Sequence, residues 1–200
     1  MKSVIILDWD DTLFPTSWLL KNNISLFNIT NFSDLINFFK ELDSLVYDII
    51  SSFIKCGKVF IVTNASMKWI SVSSKVLPKT SRLLMNDKIG IISARDEYTN
   101  KYPKKNDIWK SLVFKNIIIS DNYKFKYQNI ISAGDADYEF KALTNLYDRI
   151  KSQQIYLKSI RFSPAPGFKE LLDELEILQK STKKICQYKR HMDLKFFEKN

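Results

Sequence analysis

The sequence predicts an α/β fold of the doubly wound type, with a five-stranded, mainly parallel sheet held between two layers of helix. Three observations predict it. Short, largely apolar runs recur at Val4–Leu7, Lys58–Val62, Ile89–Ile92, Asn129–Ser132 and Gln154–Ile160. A strand covered on both faces reads this way, without polar alternation. Helical patterns separate the runs, which calls for parallel strands joined by crossover helices. Polar groups gather where the runs stop, and in open α/β sheets ligands bind beyond the carboxyl ends of strands.

Composition bounds the rest. The chain has 200 residues, 45% hydrophobic and 14% aromatic, ample for a packed core and unlike a disordered chain. It reads as one catalytic domain over residues 1–178 with a short flap at 13–31, followed by a basic helix or tail at 179–200. Net charge is +9, and the segment Lys180–Asn200 holds +5 of it. Such a tail is a solvated helix end or a contact for an anionic partner such as nucleic acid; no named nucleic-acid motif accompanies it. Cys56 and Cys186 stand far apart beside a lone His191, which excludes the common zinc spacings and does not suggest a disulfide framework. A reducing, cytoplasmic setting is the simplest reading. At most five apolar residues precede Asp8, too few for a signal peptide, and no run reaches the ~20 residues of a membrane span, so no membrane partner is expected.

In chain order, Val4–Leu7 is the first buried strand and ends in Asp8-Trp9-Asp10-Asp11-Thr12. Leu13–Leu19, with Pro15, forms the flap, and Asn28–Asn31 a turn. Ser33-Asp34 opens a helix by N-cap chemistry. Its apolar positions Leu35, Phe38, Phe39, Leu42, Leu45, Val46, Ile49, Ile50 and Phe53 repeat at three and four, and Cys56-Gly57 ends it. The second strand ends in Thr63-Asn64-Ala65-Ser66. A helix follows to about Val76, broken by Pro78. The third strand ends in Ser93-Ala94-Arg95-Asp96, at the edge of the site. A basic loop at Asn100–Asn106 leads to a helix capped by Asp107. The fourth strand ends in Gly134-Asp135-Ala136-Asp137-Tyr138-Glu139, before a helix through Phe140, Leu143 and Leu146. After the fifth strand, Pro164–Gly167 turns into a last helix, Phe168 to Cys186.

The strand ends carry the chemistry. Asp8 and Asp10 are two apart, so a plain strand points them the same way. Two close carboxylates repel unless a proton or a cation lies between them. That pattern points to a divalent-metal site with a carboxylate able to act as nucleophile. Taken with Thr63 and Gly134-Asp135, the ordered set resembles the haloacid dehalogenase superfamily: a strand ending Asp-x-Asp-x-Thr, a second ending in Thr or Ser, a lysine, then Gly-Asp-x-x-x-Asp/Glu. The resemblance spans about residues 1–175. It implies that Asp8 is the nucleophile, forming an aspartyl-phosphate, and that Asp10 protonates the leaving oxygen and then activates water. It implies Mg2+ held by Asp8, Asp135, Glu139 and Asp10, the last through its backbone carbonyl. Thr12 would orient Asp10, and Thr63 would offer its hydroxyl to the phosphoryl group. Lys110 is the chosen lysine, 25 residues before Asp135, a spacing typical of the family; Lys104 and Lys105 are the alternatives. Asn64 binds phosphate or caps a helix. Trp9 is packing, flap support or a substrate reader. Asp11 stands where many members have glycine and is expected to face solvent.

Cap domains in this superfamily enter after the first motif or before the lysine. Here both stretches are filled by the flap and by core elements, so no large cap is expected. Open members often act on phosphoproteins or other bulky phosphates. The opening Asp-Trp-Asp-Asp-Thr-Leu-Phe-Pro is similar to that of the magnesium-dependent phosphatases. The leading expectation is a Mg2+-dependent phosphomonoester hydrolase acting on a phosphoprotein. A small phosphorylated metabolite, a polynucleotide end, or a non-catalytic binding role on the same fold are the alternatives.

Overall fold

The computed structural model describes residues 2–26, 33–119, 127–150 and 155–196. The turn expected at Asn28–Asn31 lies outside them. The centre of the fold is β1 (Ser3–Leu7), buried at all five positions. It pairs in parallel with β2 (Gly57–Thr63) on one side and β4 (Asn129–Gly134) on the other. Beyond them lie β3 (Ile89–Ser93), β5 (Tyr156–Arg161) and β6 (Met192–Lys195), giving the all-parallel order β3-β2-β1-β4-β5-β6.

Side chains alternate across each strand and sort into two cores. Ile5, Leu7, Val59, Ile61, Ile131 and Ile160 face α2 (Ser33–Cys56) and α9 (Phe168–Gln187). Val4, Ile6, Phe60, Val62, Ile130 and Leu157 face α6 (Asn106–Ile119) and α7 (Asp137–Thr144). The result is a three-layer α/β/α sandwich. The periodic stripe of α2 is the one that buries Phe38, Phe39, Leu42, Val46, Ile49, Ile50 and Phe53. No helix of the described residues is long and apolar enough to cross a membrane.

The sheet has six strands, not five. β6 is four residues with one apolar pair, and three of the four are exposed, so hydrophobic pattern carries no signal there. Backbone pairing with β5 places it, Lys158 opposite Met192 and Arg161 opposite Lys195. The forked contact of the Arg161 guanidinium with Asp193, at 3.0 and 2.6 Å, adds a lateral clamp. The boundary drawn at 178–179 falls inside α9, whose second half packs on α2 through Leu178, Ile185 and Cys186.

The helix expected to end near Val76 is α3 (Met67–Ser73) followed by a 3-10 turn at Ser74–Val76. Pro78 opens another helix, α4 (Pro78–Leu83), instead of only closing one. Proline suits a first helical turn because its missing N–H has no partner to lose there. The buried Asp43 carboxylate of α2 accepts from the backbone N–H of Lys79 at 2.9 Å and of Thr80 at 2.8 Å, capping α4. The short α5 (Ala94–Tyr98) is also new, and Ser93 Oγ caps it by accepting from Asp96 N–H. Helix α6 starts at Asn106, one residue before its expected cap Asp107. Short helices α1 (Thr16–Lys21) and α8 (Tyr147–Ile150) complete the set.

Asp43→Ala leaves two helix N–H groups without acceptors inside the α2–α4 contact. It is expected to lower unfolding stability by about 1–3 kcal/mol, read as a reduced urea midpoint at unchanged slope; a midpoint equal to wild type would show that the cap contributes nothing.

Candidate active site

The carboxyl edge of the sheet collects the candidate residues. β1 delivers Asp8 into a buried position, and the Trp9 backbone N–H donates to its Oδ1 at 2.8 Å. The other oxygen, Oδ2, lies 2.8 Å from Lys110 Nζ. Lys110 sits on the buried stripe of α6 with Val113, Phe114 and Ile117. A cation on that stripe needs a partner, and it pairs with both Asp8 and Glu139. Glu139 is one turn into α7 and turns back, its Oε2 accepting from Ala136 N–H at 3.1 Å. Gly134 makes this possible: a Cβ there would stand 2.2 Å from Glu139 Cγ. Any side chain at 134 would push the carboxylate out of the site.

Asp8, Asp135 and Glu139 bring one carboxylate oxygen each within 4.8 Å of one another. Two like charges at that distance repel by about 3–4 kcal/mol at an effective dielectric near 20. Burial pushes the Asp8 carboxyl well above the usual range; Lys110 opposes this, while Glu139 and Asp135 add to it. Burial, Glu139 and Asp11 push Asp135 up to about 7. Burial alone would pull Lys110 down, but Asp8 and Glu139 outweigh it and hold the lysine above its ordinary value. With all three carboxylates ionised, one ammonium would leave two negative charges for a cation to meet. The donors are hard oxygens, so the set fits a divalent cation of the Mg2+ type.

Asp10 lies outside this acidic cluster. It is half-buried, and its carboxylate is held by three neutral donors: Thr16 Oγ1 at 2.5 Å and Trp69 Nε1 at 2.7 Å on Oδ1, and Thr63 Oγ1 at 2.9 Å on Oδ2. Its side chain therefore does not join Asp8, Asp135 and Glu139 as a metal ligand. Thr12 does not hold it: among the described residues the buried Thr12 hydroxyl has no hydrogen-bond partner. The Thr63 hydroxyl is engaged by Asp10 instead of pointing to an incoming phosphoryl group, and it accepts from Ala65 N–H at 2.8 Å. No pattern in the sequence marks Thr16 or Trp69. The edge-on contact of Trp69 with Phe14 is packing, but its indole N–H is what reaches Asp10.

Trp9 is not among the residues that line the mouth. It is fully buried, stacked on Phe14 at 5.8 Å, and its indole N–H donates to Ser73 Oγ at 2.9 Å. Asp11 does not face solvent. It is buried at φ 55°, in the left-handed region, where glycine is usual and aspartate is among the few other residues tolerated. Its carboxylate accepts from Ser17 N–H at 2.8 Å and from the Ser17 hydroxyl, which ties the turn to the start of α1. Asn64 lines the mouth, its amide N–H reaching the Asn106 carbonyl at 3.3 Å. Asp137 is exposed on α7. Lys101, Lys104 and Lys105 are exposed, so Lys110 is the lysine that meets Asp8.

The mouth above these groups is an open cavity of about 550 Å3, walled by Leu20, Trp69, Arg95 and Tyr138. Leu20 is 71% exposed. Asp96, beside Arg95, is used structurally and accepts from Met67 N–H at 2.8 Å.

No family model matches the chain, and no curated protein matches it. Among solved structures it is similar to the HAD domain of effector protein Lem4 from Legionella pneumophila, with a TM-score of 0.45 and 12% identity over 88% of this chain and 97% of that one.

A cation that fits this cluster should stabilise the folded state by mass action. Millimolar Mg2+ is expected to raise the melting temperature of the wild type by a few degrees and to leave Asp135→Asn nearly unmoved. Equal shifts in both proteins would place the ion elsewhere.

Proposed function

We propose that the chain is a Mg2+-dependent phosphomonoester hydrolase of the haloacid dehalogenase type, acting through an aspartyl-phosphate on Asp8. One observation carries this reading. Two carboxylates two residues apart are held in opposite surroundings: Asp8 is buried against Lys110 and two further acids, while Asp10 is fixed by three neutral donors at the rim. Environments that differ in this way give two like groups separate roles.

An Asp8 oxygen attacks phosphorus as the bond to the leaving oxygen breaks, and Asp10 gives that oxygen a proton. Water then attacks the phosphoryl group on Asp8 while Asp10 takes its proton, releasing phosphate and restoring the Asp8 carboxylate. A divalent cation held by Asp8, Asp135 and Glu139 would supply screening between the carboxylate nucleophile and the anionic phosphate. Lys110 contributes a fixed positive charge beside the nucleophile. Thr16, Trp69 and Thr63 keep Asp10 aimed between leaving group and water.

The open mouth supports a bulky substrate, with a phosphoprotein first and a phosphorylated metabolite second. Flap helix α1 stands at one side of the mouth, with Thr16 lining it and Leu20 exposed. The lysine groove formed by Lys180, Lys183 and Lys184 beside Tyr188 supports an anionic partner as a second reading. It lies at the end of α9 away from Asp8. A 20-residue helix is about 30 Å long, so one short polynucleotide end would not fill both places.

With Mg2+, the wild type is expected to release phosphate from a generic aryl phosphate, and EDTA or Asp8→Asn to reduce turnover by at least about 10³-fold. Turnover that ignores EDTA or survives Asp8→Asn would sink the mechanism. Trp69→Phe keeps the aromatic ring and removes only the N–H on Asp10. It is expected to lower kcat about tenfold with little change in KM, and a change confined to KM would mean that Trp69 serves substrate instead. For the groove, Lys183→Glu with Lys184→Glu should weaken binding of single-stranded nucleic acid and flatten its salt dependence; a binding curve unaltered by the double substitution would remove that partner.

A further inference from the structure

The carboxyl-terminal ends of α2 and α9 bring together Cys56, Cys186 and Lys158, none of them used by the chemistry above. Cys56 ends α2 and precedes Gly57, whose register partner is Ser3. Ser3 pairs on its other side with Asn129, and the Asn129 amide donates to Ser3 Oγ and to the Cys186 carbonyl, both at 3.1 Å. Both cysteines therefore lie at the amino edge of the sheet, beside the first residue of β1. Cys186 belongs to the apolar core between α2 and α9, and Cys56 packs against that same core. Lys158 projects from β5 into the same place. It is fully buried, its ammonium donates to the Ile185 carbonyl at 2.6 Å, and no carboxylate among the described residues pairs with it. Burial pulls the lysine down to about 8, against the two thiols. Burial and Cys56 push the Cys186 thiol up, and Lys158 opposes them. Cys56 is half-buried and Cys186 buried, so a small oxidant meets Cys56 first.

We propose that Cys56 and Cys186 are a redox-closed staple, oxidised by a peroxide to a disulfide that ties the ends of α2 and α9 together. The Cys56 sulfur, as thiolate, attacks one oxygen of hydrogen peroxide; the O–O bond breaks, and hydroxide leaves as water with the proton Cys56 gave up. The Cys186 sulfur then attacks the Cys56 sulfenic acid. An S–S bond forms, the S–O bond breaks, and the hydroxyl leaves as water with the Cys186 proton. Two thiols are oxidised and one peroxide becomes two waters. Lys158 stands beside Cys186 and partly offsets the burial that disfavours its thiolate. At their opposite ends the same two helices grip the flap: Trp18 of α1 meets Phe38 of α2 at 5.9 Å and Phe168 of α9 at 5.1 Å, edge-on. The staple thus locks the helix pair that buttresses the flap and leaves Asp8 untouched.

The test treats the full, reduced chain with stoichiometric hydrogen peroxide. Expected are a mass loss of about 2 Da, loss of both alkylatable thiols, and a linked peptide joining residues 56 and 186 that reductant separates. The melting temperature should rise by about 5–10 °C and fall back on reduction. Cys56→Ser, at the less buried position, should abolish the link and the shift. A gain of about 16 or 32 Da on Cys56 with Cys186 still alkylatable, disulfide-linked dimers in place of the internal link, or a linked species with no thermal shift would each overturn the proposal.

Discussion

The buried ammonium of Lys110 is the contact on which the site depends. It is the one positive charge among three carboxylates, and it arrives on the apolar face of α6, where a cation survives only if paired. The rest follows from that constraint. α6 must dock on the face of the sheet that brings residue 110 under the end of β1. Glu139 must turn back over the backbone, which requires the bare Cα of Gly134. Helix α7 must start close enough to β4 for Ala136 N–H to hold the same carboxylate. Packing and charge specify one arrangement, and the charge left over is that of a divalent ion.

A second theme is the division of the carboxyl edge between fixed and adjustable parts. Asp8, Lys110, Asp135 and Glu139 come from strand ends and from helices seated on the core. Asp10 takes its bearings from Thr16 of the flap helix, Trp69 of α3 and Thr63 of β2. The flap helix is in turn fixed by the Asp11–Ser17 bonds on one side and by the Trp18, Phe38 and Phe168 cluster on the other. The aim of Asp10 is therefore coupled to the packing of α1 against α2 and α9.

The main lines were legible in the sequence because they rest on burial. Strands β1 to β5 and helices α2, α6 and α9 announce themselves through apolar runs or stripes, and Asp8, Asp135, Glu139 and Lys110 meet because strand ends share one edge. What escaped was set by hydrogen bonds without a composition signal. The bond that the motif leads one to expect from Thr12 is made by Thr16. Thr63 was aimed at phosphate but holds Asp10. An indole N–H at Trp69 cannot be told from a packing ring by type alone. Asp11 is turned inward by a φ of 55° that goes with the turn to Phe14, which its own polarity does not announce. β6 is placed by backbone pairing with β5, to which its mostly exposed side chains give no clue.

That last strand has a consequence for how the chain stays apart from its neighbours. Without β6, strand β5 would be the sheet's margin, offering a row of free N–H and C=O groups beside Leu157 and Ile160 to any extended segment in solution. β6 takes those bonds and moves the margin outward to a four-residue strand bearing Asp193 and Lys195. Short, charged edges pair poorly with other chains. The charged stretch after α9 thus works as a selvedge on the sheet. A version of the protein cut after α9 would keep every group around Asp8 and still be prone to cross-strand aggregation.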